Sequence, residues 1–111
     1  MKKLMLAASA CALMAGAASA EDVKIGILIG FTGPIESLTG HMANAAEAAM
    51  TEVNASGKAK NNYISVRGDD TCTDAAAATA ATERAVTAEG VKGIIGGDCS
   101  GVTRAMLTNV A

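Results

Sequence analysis

Three short apolar runs separated by helical segments constrain this chain more than any other feature. "VKIGILI" (residues 23–29) is almost continuously apolar, the pattern of a strand covered on both faces. "YISVR" (63–67) sets Ile64 and Val66 on one face of a second strand, and "VKGIIG" (91–96) is a third. Between the first two lies "HMANAAEAAMTEVNASG", where Met42, Ala45, Ala46, Ala49, Met50 and Val53 recur at helical spacing and Gly57 is a stop. "AAAATAATERAVTAEG" is a second helix ending at Gly90, with Thr73 or Asp74 as its cap. Alanine occurs on every side of it, which leaves its face undefined and suits close packing on a sheet. After "GDCSG", the residues "VTRAMLTNVA" begin a third helix. Strand–helix alternation of this kind predicts an α/β fold: a three-layer, open parallel sheet with right-handed crossovers and strand order 2-1-3.

The first twenty residues have the form of a secretory signal peptide. Lys2 and Lys3 precede an apolar stretch too short to span a bilayer, and Ala18-Ser19-Ala20 has the small-x-small form of a cleavage site. The alternatives are a membrane anchor, or a lipid-modified Cys11, which lies early and lacks the usual preceding leucine. Cleavage after Ala20 leaves residues 21–111 as the folded part, in an exported and oxidising compartment. The formal charge is −2 and no basic patch occurs, so nucleic acid is not expected as a partner. Three strands cover little core, and the last helix has barely begun at Ala111. Residues 21–111 are therefore expected to be part of a larger domain.

Open parallel sheets bind ligands beyond the carboxyl ends of their strands, at the point where neighbouring connections diverge. With order 2-1-3 that crevice lies between the glycine-rich segment 30–40 and the segment 97–101. Ser100 falls where the third helix should begin, so its hydroxyl and nearby backbone N–H groups could meet a small carboxylate. Equally, Ser100 could simply cap the helix through its own oxygen. Other chemistries find less support. No Gly-Lys-Ser/Thr follows the glycines, no G-x-G-x-x-G follows the first strand, and His41 is the single histidine. No cofactor and no metal are expected. Asp69 and Asp70 point apart on an extended backbone and are expected in a solvated loop; Asp98 is expected to cap or orient its own loop.

"GDCSG" also has the G-x-Cys-x-G form of a nucleophile elbow, between a strand and a helix. This gives a hydrolase reading with Cys99 as nucleophile. Against it stand the oxidising compartment and Cys72, which shares the carboxyl edge of the sheet with Cys99. A Cys72–Cys99 disulfide bracing the loop of Ser100 is favoured over a nucleophile or two buried thiols.

"VKIGILIGFTGPIESLTGHMANAAEAAMTEVNASG", "GDDTC" and "GVKGIIGGDCSGVT" together resemble the start of the periplasmic substrate-binding proteins of branched-chain amino-acid ABC transporters. The resemblance spans nearly all of residues 21–111. It implies the first lobe of a bilobed, leucine-binding-protein-like receptor that closes on a small amino acid or amide-like solute and hands it to a membrane permease. It makes the chain a binding protein, not an enzyme. It makes Cys72–Cys99 a disulfide, places Ser100 and Gly101 at the ligand's carboxylate, and sets Ser37 and Leu38 along one side of the pocket. Those two stand where the family often has an aromatic residue, with one apparent extra residue before Gly40. A sensory receptor of the same fold is the further alternative.

Overall fold

The computed structural model describes residues 19–111; the signal-peptide expectation for residues 1–20 and Cys11 falls almost wholly outside them. β1 (Asp22–Ile29) is the central strand. It is followed by α1 (Glu36–Ala55), β2 (Asn62–Asp69), α2 (Ala75–Glu83), β3 (Gly93–Gly96) and α3 (Ser100–Met106). A wider π-type turn, Arg84–Glu89, extends α2, and a 3₁₀ turn, Leu107–Asn109, closes α3. The sheet is parallel throughout and ordered β2-β1-β3, as the alternation predicts. β1 pairs with β2 from Asp22↔Asn62 to Ile29↔Asp69, and with β3 from Ile25↔Gly93 to Leu28↔Gly96.

The period-2 geometry of a strand explains why β1 is apolar along its length. Leu28 points into one cluster with Ala78, Ala81, Ala85, Val91, Val102 and Met106, built from α2, its extension, the segment before β3, and α3. Ile27 and Ile29 point the other way, against Ala43 of α1 with Ala46, Met50 and Phe31 around it. Helices thus cover both faces, giving three layers. Ile27 and Leu28 are each 1 % exposed, and burying side chains of this size contributes about 1.5–3 kcal/mol apiece. The alanines let α2 lie close: a β-carbon on Gly68 of β2 would run into the Leu28 side chain and touch the Ala81 methyl.

Local signals account for the ends of α2. Asp74 is its N-cap, and Oδ1 accepts from the N–H groups of Ala76 at 2.8 Å and Ala77 at 3.1 Å. Gly90, at φ 69°, ends the extension in the left-handed conformation that glycine adopts freely.

Two expectations need correction. α1 begins at Glu36, so Ser37 and Leu38 lie in its first turn and the preceding loop is shorter than the 30–40 segment. The buried face of α1 is also rotated from the one expected. Met42 and Val53 are 49 % and 44 % exposed, whereas Thr39 and Ala43 are buried. The cause is the edge strand β2, which offers polar partners. Asn54 Nδ2 donates to the Tyr63 carbonyl and Oδ1 accepts the Tyr63 N–H, both at 2.8 Å. Glu47 accepts from Ser65 Oγ at 3.0 Å and pairs with Arg67 at 2.7 Å. A helix that reaches over a polar edge turns polar side chains inward, and apolar periodicity alone picks the wrong stripe.

Candidate functional site

Three loops leave the carboxyl end of the sheet, and each is tied to the other two. The β1–α1 loop is joined to the end of β2 by Thr32, whose hydroxyl donates to Asp69 Oδ2 at 2.6 Å and whose N–H donates to Oδ1 at 3.2 Å. It is joined to the β3–α3 loop by the Gly30 N–H, which donates to Asp98 Oδ2 at 2.9 Å. The third side of the triangle is covalent: Cys72 and Cys99 form a disulfide, their Cα atoms 5.1 Å apart. The favoured reading of these cysteines is therefore the observed one. With its sulfur bonded to Cys72, Cys99 carries no thiolate for the elbow chemistry its sequence context suggested.

The β2–α2 turn is bent hard to make that bond. Thr71 and Cys72 sit consecutively at φ 61° and 67°, a left-handed conformation that costs a non-glycine residue about 1–2 kcal/mol. The two preceding aspartates hold it. Asp69 Oδ1 accepts the Thr71 N–H and Asp70 Oδ1 accepts the Cys72 N–H, each at 2.9 Å. Gly33, itself at φ 98°, lets the β1–α1 loop close over this turn: a β-carbon there would lie 2.6 Å from the Thr71 carbonyl oxygen.

The aspartates are thus structural parts of the rim, and the expectation of a solvated loop fails for Asp70, which is fully buried. Their ionisation is pushed in opposite directions. Burial pulls the Asp69 carboxyl up, but the Thr32 hydroxyl and the N–H groups of Thr71, Thr32 and Phe31 outweigh it and hold Asp69 below the usual range. Burial raises Asp70, and the neighbouring Asp98 and Asp69 raise it further against the Cys72 N–H.

Ser100 is the first residue of α3. The N-cap is Cys99, extended at φ −120° and ψ 135°, and no side chain caps the helix. Ser100 is therefore not the cap that one sequence reading made it. It is exposed, and a β-carbon added at Gly101 would meet nothing within 4 Å. The N–H groups of this first turn have no acceptor within the helix. Thr103 Oγ1 anchors the loop behind them, donating to the carbonyls of Gly97 and Cys99 at 3.0 and 2.9 Å. Ser37 and Leu38 are exposed in the first turn of α1, at the same end of the sheet.

Thr39 was missed by the sequence reading. It is buried, and its hydroxyl donates to the Gly30 carbonyl at 2.9 Å, so it fixes the start of the β1–α1 loop. Its signal was a threonine one helical turn into an apolar face. A groove of about 450 Å³ lies elsewhere, lined by Val86, Val91, Lys92, Ile94 and Asn109; it contains none of the rim residues.

Comparison with known proteins bears on this rim. The family model described as "Periplasmic binding protein" matches residues 22–111. Leu/Ile/Val-binding protein homolog 7 of Brucella melitensis is 40 % identical over 103 residues, which are 91 % of this chain and 25 % of that protein. The Leu/Ile/Val-binding protein of Escherichia coli K12 is 32 % identical over 92 % of this chain and 28 % of its own length. This chain spans about a quarter of the length of these relatives. Among solved structures, the branched-chain amino acid transporter substrate binding protein LivJ from Streptococcus pneumoniae, in complex with isoleucine, superimposes with a TM-score of 0.73. Its sequence identity is 26 %, over 81 % of this chain and 26 % of that one. The family model covers residues 22–111, and the chain belongs to the periplasmic binding protein family.

Proposed function

We propose that residues 21–111 form part of the first lobe of an exported solute-binding protein that captures a small amino acid or a related polar solute for a membrane permease of an ABC importer. The reading includes export to the periplasm by a signal peptide cleaved after Ala20. It involves no catalysis: the ligand is bound and released unchanged, the elbow form around Cys99 has its sulfur bonded to Cys72, and no observation favours the sensory alternative.

The observation that carries it is the braced rim. Hydrogen bonds and a disulfide fix three loops at the carboxyl end of the sheet, and the exposed Ser100 stands on one of them with its neighbour Gly101 open to solvent. In this reading the Ser100 hydroxyl and the Gly101 N–H take the ligand carboxylate. Ser37 and Leu38 flank the ligand from the first turn of α1, and a second lobe closes over it and removes water from its charges. Rigid bracing serves such a site because donors already in place lose little freedom on binding. A rim that forms one wall of a cleft need not enclose a cavity by itself, which fits the position of the groove near Asn109 at a different place on the molecule.

Calorimetric titration of the full-length protein with amino acids and small amides tests this. Ser100→Ala should weaken binding of a carboxylate ligand about tenfold, the loss of one hydrogen bond to a charged group. Unchanged affinity would remove Ser100 from the site.

A further inference from the structure

Asp70 and Asp98 both bond the Ile29–Gly30 peptide at the end of β1, the Asp70 N–H donating to the Ile29 carbonyl at 3.1 Å and Asp98 Oδ2 accepting the Gly30 N–H at 2.9 Å, and each lies within two residues of the Cys72–Cys99 disulfide. Asp70 is two residues before Cys72, fully buried, and Asp98 immediately precedes Cys99. Each carboxyl has one oxygen in use: Asp70 Oδ1 accepts the Cys72 N–H and Asp98 Oδ2 accepts the Gly30 N–H. Each has one oxygen left over. Asp70 Oδ2 and Asp98 Oδ1 are shut off from solvent and have no hydrogen-bond partner among the described residues. Neither carboxyl is in an ion pair among those residues.

Two buried, unpartnered carboxylate oxygens on adjoining loops can be satisfied together by a single proton, which makes one of them a donor. Two ionised carboxylates in that position would repel with little water to screen them. We infer that Asp70 and Asp98 share one proton between these leftover oxygens, forming a proton-held latch that joins the β2–α2 turn to the β3–α3 loop beside the disulfide. The proton comes from solvent as pH falls and returns to it as pH rises. No bond other than the O–H is made or broken.

The surrounding charges favour holding the proton. Asp98 faces Asp70 from the β3–α3 loop and Asp69 from the end of β2; both disfavour a second negative charge. Asp74, at the start of α2, has its carboxylate committed to Ala76 and Ala77. Burial is the largest influence on Asp70 and acts in the same direction. The latch belongs to the rim whatever ligand the rim takes.

A raised carboxyl pKa in the folded state gives stability that is complete below the ordinary aspartate range and is lost as pH rises through the folded value. Asp98→Asn supplies a permanent N–H donor to Asp70 and keeps an oxygen for the Gly30 N–H, so it copies the proton-held state. For the full-length, oxidised protein, thermal unfolding should show wild type and Asp98→Asn close together near the lower end of that window. They should separate by a few degrees in favour of the variant as pH rises. Parallel profiles would overturn the latch. Infrared titration of the wild-type protein gives an independent reading and does not depend on a variant folding. A protonated-carboxyl band should persist above the ordinary aspartate range and be lost in Asp70→Asn and Asp98→Asn. Absence of that band in wild type, or its survival in both variants, would also overturn it.

Discussion

The Gly30 N–H donates to Asp98 Oδ2 at 2.9 Å, so the residue that leaves the central strand is held by a side chain from the loop after the third strand, 68 positions away. The Gly30 carbonyl is held in turn by Thr39 Oγ1. Both polar groups of one backbone residue are thus fixed by side chains, and the direction of the β1–α1 loop follows from them.

Thr39→Val should therefore loosen that loop. It keeps the volume but leaves the Gly30 carbonyl without its buried donor, at a cost of about 1–3 kcal/mol. Thr39→Ser should recover most of it. Urea unfolding of the full-length protein compares the two, and equal loss in both variants would mean that the methyl group matters more than the hydrogen bond.

The disulfide closes a span of 27 residues, for which the chain-entropy estimate is about 3.5 kcal/mol. The double variant Cys72→Ser/Cys99→Ser should unfold at correspondingly lower denaturant. A thiol assay on the unreduced, denatured protein should detect neither cysteine. The strained turn at Thr71 and Cys72 makes the loss local as well as global, so proteolysis in the reduced protein should begin there.

Gly96 shows how tightly β3 lies against β1. At φ 142°, a β-carbon would collide with the Leu28 backbone carbonyl, an atom that cannot swing aside. Gly96→Ala should cost more than Leu28→Ala, which removes a side chain from the core for about 2–5 kcal/mol. Soluble yield and midpoint of unfolding give the order; the reverse order would mean that the strand end shifts freely.

The layered fold was legible because each of its signals is local. An apolar strand, a glycine stop and a capping residue carry the same meaning in any context; they placed β1 and Gly90 and narrowed the α2 cap to Thr73 or Asp74, of which Asp74 is the one observed. The cysteine pair was favoured by an even cysteine count in an exported chain, and the shared edge of parallel strands only made the bond possible. What stayed hidden depended on contacts between distant residues. No local pattern says that Asn54 and Glu47 face an edge strand, so α1 was turned onto Met42 and Val53. Nor does an Asp-Asp pair declare that its second member is buried by the loop of Asp98.

The same pair supplies a sign test. Asp69 lies below the usual carboxylate range, so its contribution is present above that range and is lost as pH falls through its lowered value. Asp69→Asn removes a charged acceptor from Thr32 and Thr71. Because the carboxylate is partly solvated, the cost at neutral pH should be about 1 kcal/mol, below that of a buried charged hydrogen bond. The gap between wild type and Asp69→Asn should therefore narrow on acidification. That between wild type and Asp98→Asn opens on the alkaline side, with wild type the less stable. Adjacent aspartates with opposite pH dependence require that one be held by donors and the other crowded by acids. If denaturation profiles of Asp69→Asn kept a constant offset from wild type down through the carboxylate range, the hydrogen bonds from Thr32 and Thr71 would not be what holds the Asp69 charge.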